Sequence, residues 1–387
     1  MIVKPKIRNF LCLTAHPDGC AESVRRQIDY VRSRPSVEGA KRVLVIGSST
    51  GYGLASRIAC AFGCGADTVG VMFEKPAAGK RTASAGFYNN RAFENEAKAA
   101  GLLAETINGD AYSDEVKDQV LALIKEKLGT VDLVIYSLAS PRRTDRDGVT
   151  WSSVIKPTGQ PYEGKTLNLS NNTVEMASLE PATGEEIEAT VKVMGGEDWL
   201  EWISRLDAAG VLSPGATTFA YSYIGPSITY AIYKDGSIGK AKEDLYRAAD
   251  EINERFTERN YKALVAVNKA VVTQASAAIP SVTLYLSILY KVMKAAGNHE
   301  GCVEQMYRLL ADKIYVPDTP LDERGLVRMD DREMLPEIQR EVLELWDKVD
   351  SDTVAELTDI AGYWEDFHNL FGFGYDNIDY EKDVDIS

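Results

Sequence analysis

The chain has 387 residues, 45% of them hydrophobic, which is enough to bury a large core, and α/β units of this length often form a single domain. Its 58 acidic against 43 basic residues give a net charge of −15, so nucleic acid is excluded as a partner, because Lys and Arg must neutralise phosphate for such binding. No run approaches the roughly 20 apolar residues of a membrane helix, so no membrane insertion is expected.

The N-terminal stretch MIVKPKIRNFLCLTAHPDG interleaves basic residues with short apolar pieces and lacks the apolar region of a signal peptide. Five cysteines, an odd number without a Cys-x2-Cys pair, fit a reducing cytoplasm. The three histidines, His16, His299 and His368, are far apart, and no metal is expected. The expectation is a cytoplasmic monomer. The β-branched run at 43–46 then stops at Gly47, and Gly51 and Gly53 open a small-residue helix. Strand, tight turn and helix in that order can hold a pyrophosphate. Glycines let the backbone approach, and the helix's unpaired N–H groups and positive dipole end face the charge. The Gly-x3-Gly-x-Gly spacing is that of short-chain dehydrogenase/reductases, not the Gly-x-Gly-x2-Gly of the long dehydrogenases.

Beyond this turn, strands are predicted at 68–73, 104–108, 131–138, 216–224 and 263–268. Helices are predicted at 54–62, 89–100, 114–127, 197–209, 241–256 and 283–296. The alternation predicts an α/β fold with a doubly wound, Rossmann-like parallel sheet. The reading is one enlarged domain over 1–387 with its core at about 41–297. A polar insertion at about 142–190, expected as a hairpin or loop excursion, and an extension at about 298–387 lie outside the minimal pattern. The extension should carry an amphipathic helix near 334–348 and an aromatic tail, 363–375, packed onto the domain.

On the cofactor side, Glu74 follows the second strand and is placed to accept hydrogen bonds from the adenosine ribose while repelling a 2′-phosphate. That favours NADH over NADPH, although Lys75 beside it would tolerate a phosphate. Asp110 suits the adenine amino group, and the small residues at 137–140 let backbone approach a ribose or nicotinamide. On the reactive side, hydride addition to a polarised double bond builds negative charge on an oxygen. A tyrosine hydroxyl can hydrogen-bond or protonate that oxygen, and a lysine ammonium supports it. Two pairs fit. Tyr230 and Lys234 are one helical turn apart. Tyr233 and Lys242 would be about 13 Å and about 180° apart on one straight helix, so they cooperate only if the chain breaks between them. Asp235-Gly236 supplies such a break, and spacing alone leaves both pairs open. The first would make a carbonyl reductase, and a non-catalytic NADH-binding protein is the remaining alternative.

Long segments resemble the trans-2-enoyl-CoA reductase/FabV-type enoyl-acyl-carrier-protein reductase family. They include MIVKPKIRNF, AHPDGC, RVLVIGSSTGYGLASR, GVMFEKP, NGDAYSDE, LVIYSLASPRRTD, TVKVMGGEDWLEWI, FAYSYIGP, GSIGKAKEDL, KAVVTQASAAIP, YKVMKAAGNHEGCVEQM and FGFG. The resemblance implies NADH-dependent reduction of enoyl-CoA or enoyl-acyl-carrier-protein thioesters in fatty acid biosynthesis. The family's Tyr-x8-Lys signature falls on Tyr233, as proton donor, and Lys242, as its cofactor-side partner. Its substrate-contacting tyrosine falls on Tyr223. Its NADH/NAD segments fall on Gly47, Ser48, Ser49, Thr50, Gly51 and Tyr52, on Phe73 and Glu74, and on Asp110 and Ala111. The remaining cofactor positions are Leu138, Ala139, Val271, Val272 and Thr273, with Lys242 also among them. Val282, Leu284, Leu286, Ile288 and Leu289 suit either an acyl-chain wall or a buried helix. Arg142 and Arg143 suit either an anionic carrier or the solvated surface.

Overall fold

The computed structural model describes residues 1–8, 11–138, 140–274, 276, 279 and 281–387. Seven parallel strands form the central sheet. In chain order they are β1 (Arg42–Ile46), β2 (Asp67–Met72), β3 (Ala104–Asn108), β4 (Val131–Tyr136), β5 (Leu212–Ser222), β6 (Lys262–Val267) and β7 (Val327–Arg328). Their spatial order is β7-β6-β5-β4-β1-β2-β3. The order reverses between β1 and β4, where Ile46 pairs with Tyr136, and ligands collect at the carboxyl ends beside such a switch point.

Both faces of the sheet are covered. Val43 and Val45 pack into one layer and Leu44 and Ile46 into the other, and all four are buried. Period-two geometry turns a continuous apolar run into two cores. One layer holds α1 (Pro17–Arg32), α2 (Gly51–Ile58), α3 (Ala85–Ala99) and, late in the chain, Val303 and Met306. The other holds α4 (Asp114–Lys127), α6 (Glu197–Ala208) and α7 (Ser237–Arg255), with α5 (Gly184–Met194) against α7. A third core gathers around α8 (Val282–Ala295), which is buried at every position from 282 to 290. The expected helix at 114–127 is matched at both ends by α4, whose Ser113 cap accepts from the Val116 N–H.

Three features differ from the sequence expectations. α1 was not expected, yet His16 caps it by accepting from the Gly19 N–H, and Pro17 occupies its first turn, where no donor is needed. The polar insertion forms two hairpins, 142–144 with 150–152 and 162–168 with 173–179, and its expected end at 190 falls inside α5. β7 is a seventh strand, supplied by the C-terminal extension to the edge of the same sheet. The rest of that extension includes α9 (Cys302–Arg308), α10 (Pro336–Lys348), α11 (Val354–Leu357) and α12 (Ile360–Asn369). α10 matches the expected amphipathic helix. The aromatic tail packs inward, with Tyr363, Phe367, Phe371, Phe373 and Tyr375 all buried.

Among the described residues, no helix is long and apolar enough to cross a membrane. No group of three or more His, Cys, Asp or Glu side chains there is arranged to hold a metal ion.

Candidate active site

The turn after β1 is built by close backbone contacts. Gly47 has φ of +85°, and a Cβ on it would lie 2.1 Å from the Ser137 carbonyl oxygen. Gly53, inside α2, passes so near that a Cβ there would lie 1.8 Å from the Gly47 oxygen. Turn and helix therefore interlock. The Gly47 and Ser48 N–H groups both donate to the Val71 carbonyl at 2.9 Å, and the buried Ser48 hydroxyl also turns onto it. The amides left to offer a phosphate thus begin at Ser49 and continue through Thr50 and Gly51 to Tyr52, at the positive end of α2.

The other cofactor candidates line the same edge of the sheet. Phe73, 77% exposed, and Glu74 lie just past β2. The Ser49 hydroxyl donates to Glu74 Oε1 at 2.6 Å, while Asn108 pairs with both backbone groups of Glu74. Asp110 accepts from the Tyr112 N–H, and the buried Lys117 donates to the Ala111 carbonyl and to Asp198, fixing the loop after β3. Leu138 follows β4, and Ala139 lies outside the described residues. Past β6, the Val272 N–H donates to the Tyr290 hydroxyl, and Thr273 bonds Ser276 next to Val271.

The reactive side forms at the end of β5. Tyr233 lies in an irregular turn at 230–235, and α7 begins afresh at Ser237 with Gly236 as its cap, so the expected break is present. Gly239 lets α7 start against this turn, since a Cβ there would meet the Lys234 and Tyr233 carbonyl oxygens at 1.9 and 2.6 Å. The Tyr233 ring stands edge-on to Tyr223 at 4.7 Å. Lys242, from α7, donates to the Tyr221 carbonyl at 2.9 Å. Both side chains therefore reach the same strand end. Burial raises the Tyr223 and Tyr233 phenols above their ordinary range and pulls the Lys242 ammonium down to about 8.

Tyr230 and Lys234 pair elsewhere. The exposed Lys234 ammonium sits over the Tyr230 ring at 4.3 Å, a cation–π contact at the surface. Tyr221, inside β5, bonds Ser56, whereas Tyr223 lies just past the strand's end. Arg143 is buried and bonds Glu197 and the Lys192 carbonyl, so it does not belong to a solvated surface. Val282, Leu284, Leu286, Ile288 and Leu289 are all at most 2% exposed, as a buried helix requires.

Three further groups were missed from the sequence: Lys269, Tyr285 and Glu333. Lys269 is buried past β6, donates to the Ala270 carbonyl and is pulled down to about 8 by burial. Its place at the carboxyl end of a parallel strand was the available signal. Glu333 is 0% exposed and accepts from Tyr223, Tyr285 and the Ala270 N–H.

Three family models cover the chain. Residues 2–79 match an NAD(P)H-binding domain of trans-2-enoyl-CoA reductase, and 81–315 match the catalytic region of that enzyme. The chain belongs to the trans-2-enoyl-CoA reductase family. It is 53% identical over its full length, and 98% of the relative's, to a trans-2-enoyl-CoA reductase [NADH] of Ruminiclostridium cellulolyticum. It is likewise 53% identical, over 99% of its length and 98% of the relative's, to an enoyl-[acyl-carrier-protein] reductase [NADH] of Flavobacterium psychrophilum. The crystal structure of the Clostridium acetobutulicum trans-2-enoyl-CoA reductase in complex with NADH has 45% identity and a TM-score of 0.97, covering 100% of this chain and 98% of that one.

The third match, 321–384, is to an enoyl reductase FAD binding domain. The residues there do not fit a flavin. β7 has two residues and leads to α10 through Asp330, Asp331 and Glu333, so carboxylates stand where a glycine turn would have to meet a pyrophosphate. All the aromatic residues of the segment but Tyr375, which lies under Arg26, are spent in the core around α8. The turn after β1, by contrast, fits NADH: its amides from Ser49 onward are not taken up by Val71, its approach is glycine-lined and a carboxylate stands past β2.

Proposed function

We propose that this chain uses NADH to reduce the carbon–carbon double bond of trans-2-enoyl thioesters to saturated acyl thioesters, a step of fatty acid biosynthesis. The observation that carries the reading is the meeting of Tyr233, Tyr223 and the Lys242-bearing helix at the end of β5, beside a dinucleotide turn. NADH held in that turn supplies a hydride to the β-carbon, which leaves enolate charge on the thioester oxygen.

Tyr233 and Tyr223 hydrogen-bond that oxygen from a partly buried strand end, where such bonds count for more than in open water. A phenol is protonated at neutral pH in any case, as a donor must be, and burial raises both of these further. Tyr233 is the proton donor, and delivery of a proton to the α-carbon completes addition across the double bond. Lys242, mostly ammonium at pH 7, offsets the charge left on the phenol and meets the cofactor ribose. Glu74 disfavours a 2′-phosphate and so supports NADH. β7 joins the same sheet as the nucleotide turn, which supports reading 1–387 as one domain.

Tyr233→Phe tests the reading, because Phe keeps the ring against Tyr223. NADH binding should persist while crotonyl-CoA turnover falls about 10²- to 10⁴-fold. Unchanged turnover refutes the assignment and returns Tyr230 to candidacy. The relatives above carry coenzyme A and carrier-protein names at equal identity. NADH oxidation with matched crotonyl-CoA and crotonyl-carrier-protein therefore decides the carrier.

A further inference from the structure

The C-terminal extension enters the site through Glu333, between β7 and α10. Its Oε1 accepts from the Tyr223 hydroxyl at 3.1 Å and from the Tyr285 hydroxyl at 2.6 Å. Its Oε2 accepts from the Ala270 N–H at 2.7 Å, one residue before the cofactor segment at 271–273. Gln339, from α10, locks the arrangement by donating to the Tyr285 hydroxyl at 3.2 Å and to the Glu333 carbonyl at 2.7 Å. One carboxyl group thus ties the tyrosine assigned above to the thioester to the backbone leading into the candidate cofactor segment.

A fully buried carboxyl group is expensive to keep, and a packed apolar residue is often more stable in its place. The location of Glu333 gives it a use. A phenol has one proton, so the partner behind Tyr223 decides whether that proton faces the thioester or turns away from it. Burial raises the Glu333 carboxyl towards its neutral form against the pull of Lys269. A neutral acid can donate to the Tyr223 oxygen and leave the Tyr223 proton for the substrate.

We propose that Glu333 is a positioning residue for the reduction, holding the Tyr223 hydroxyl and the 270–273 backbone in fixed relation through hydrogen bonds. This rests on Tyr223 contacting the thioester. The test is a double-mutant cycle of Glu333→Leu with Tyr223→Phe, read as kcat with crotonyl-CoA beside the NADH Kd and Tm. Glu333→Leu should lower kcat about tenfold or more in the wild-type background and clearly less in Tyr223→Phe, where only the Ala270 and Tyr285 contacts are left to lose. Glu333→Gln should restore most of the loss, since its amide accepts from Ala270 and donates to Tyr223. An equal loss in both backgrounds, or a Gln variant as slow as the Leu one, overturns the proposal. If Glu333→Leu does not fold, Tyr285→Phe enters the same cycle, with a kcat loss expected only where Tyr223 is intact; a loss of equal size in both backgrounds overturns it. Full kcat in Tyr223→Phe alone removes the role given to Tyr223, whereas a slow Tyr223→Phe with additive losses removes only the role given to Glu333.

Discussion

Gly53→Ala tests the nucleotide turn more sharply than any substitution of a polar side chain there. The added Cβ would lie 1.8 Å from the Gly47 oxygen, so the two must part by about 1.2 Å to reach a tolerable contact. Gly47 cannot yield, because its amide is bonded to Val71 and its own Cβ direction is blocked by Ser137. The start of α2 must move instead. Overpacking of this kind costs about 1–3 kcal/mol, which lowers Tm by roughly 1 °C per kcal/mol and leaves the chain folded. The displaced amides lose phosphate contacts worth about 1.5–3 kcal/mol each, so NADH should bind about ten- to a hundredfold more weakly. Fluorescence titration of NADH beside thermal melting separates the two effects. An unchanged Kd would refute the claim that this turn holds the pyrophosphate.

Glu74→Ala should narrow the preference for NADH over NADPH by about tenfold in kcat/KM, by removing a like charge near the 2′-phosphate. An unchanged ratio would mean that Glu74 serves only Ser49. The pH profile of kcat/KM should fall as pH rises through about 8, where Lys242 loses its proton in the free enzyme. The same depressed value has the opposite sign for stability. Below about 8 the partly buried ammonium weighs against folding, and that penalty fades as pH rises towards the unfolded value of about 10.4. Lys242→Met should therefore melt no lower than wild type at pH 7, and a large drop in Tm would show that the ammonium is stabilising. Purified protein should be free of flavin absorbance and indifferent to added FAD, and flavin-dependent turnover would contradict the reading of 321–384.

The sheet was legible because each buried strand is a short apolar run ended by a turn. β1 and its glycines could be placed almost to the residue. α4 was legible because Ser113 and the acids after it mark a helix start. α1 escaped because its cap is a histidine and its buried residues, Cys20, Val24, Ile28 and Val31, are interleaved with charges. β7 has only two residues, too few to show a period. In the site, the break at Asp235-Gly236 could be foreseen, but spacing alone could not choose between two tyrosines. That choice depends on where the turn folds back against α7. Glu333 was beyond reach for a different reason. Its partners lie 110, 63 and 48 residues away, and a lone Glu in the acidic run 330–333 reads as solvated surface.

The contact between residues 223 and 333 also orders events during synthesis. Every strand contact around the glycine turn lies within the first 137 residues. The tyrosine partner behind the reacting oxygen arrives about two hundred residues later, roughly ten to forty seconds at ribosomal speed. The last of the expected cofactor segments ends at Thr273, sixty residues before Glu333, so this carboxylate is among the final pieces of the site to be made.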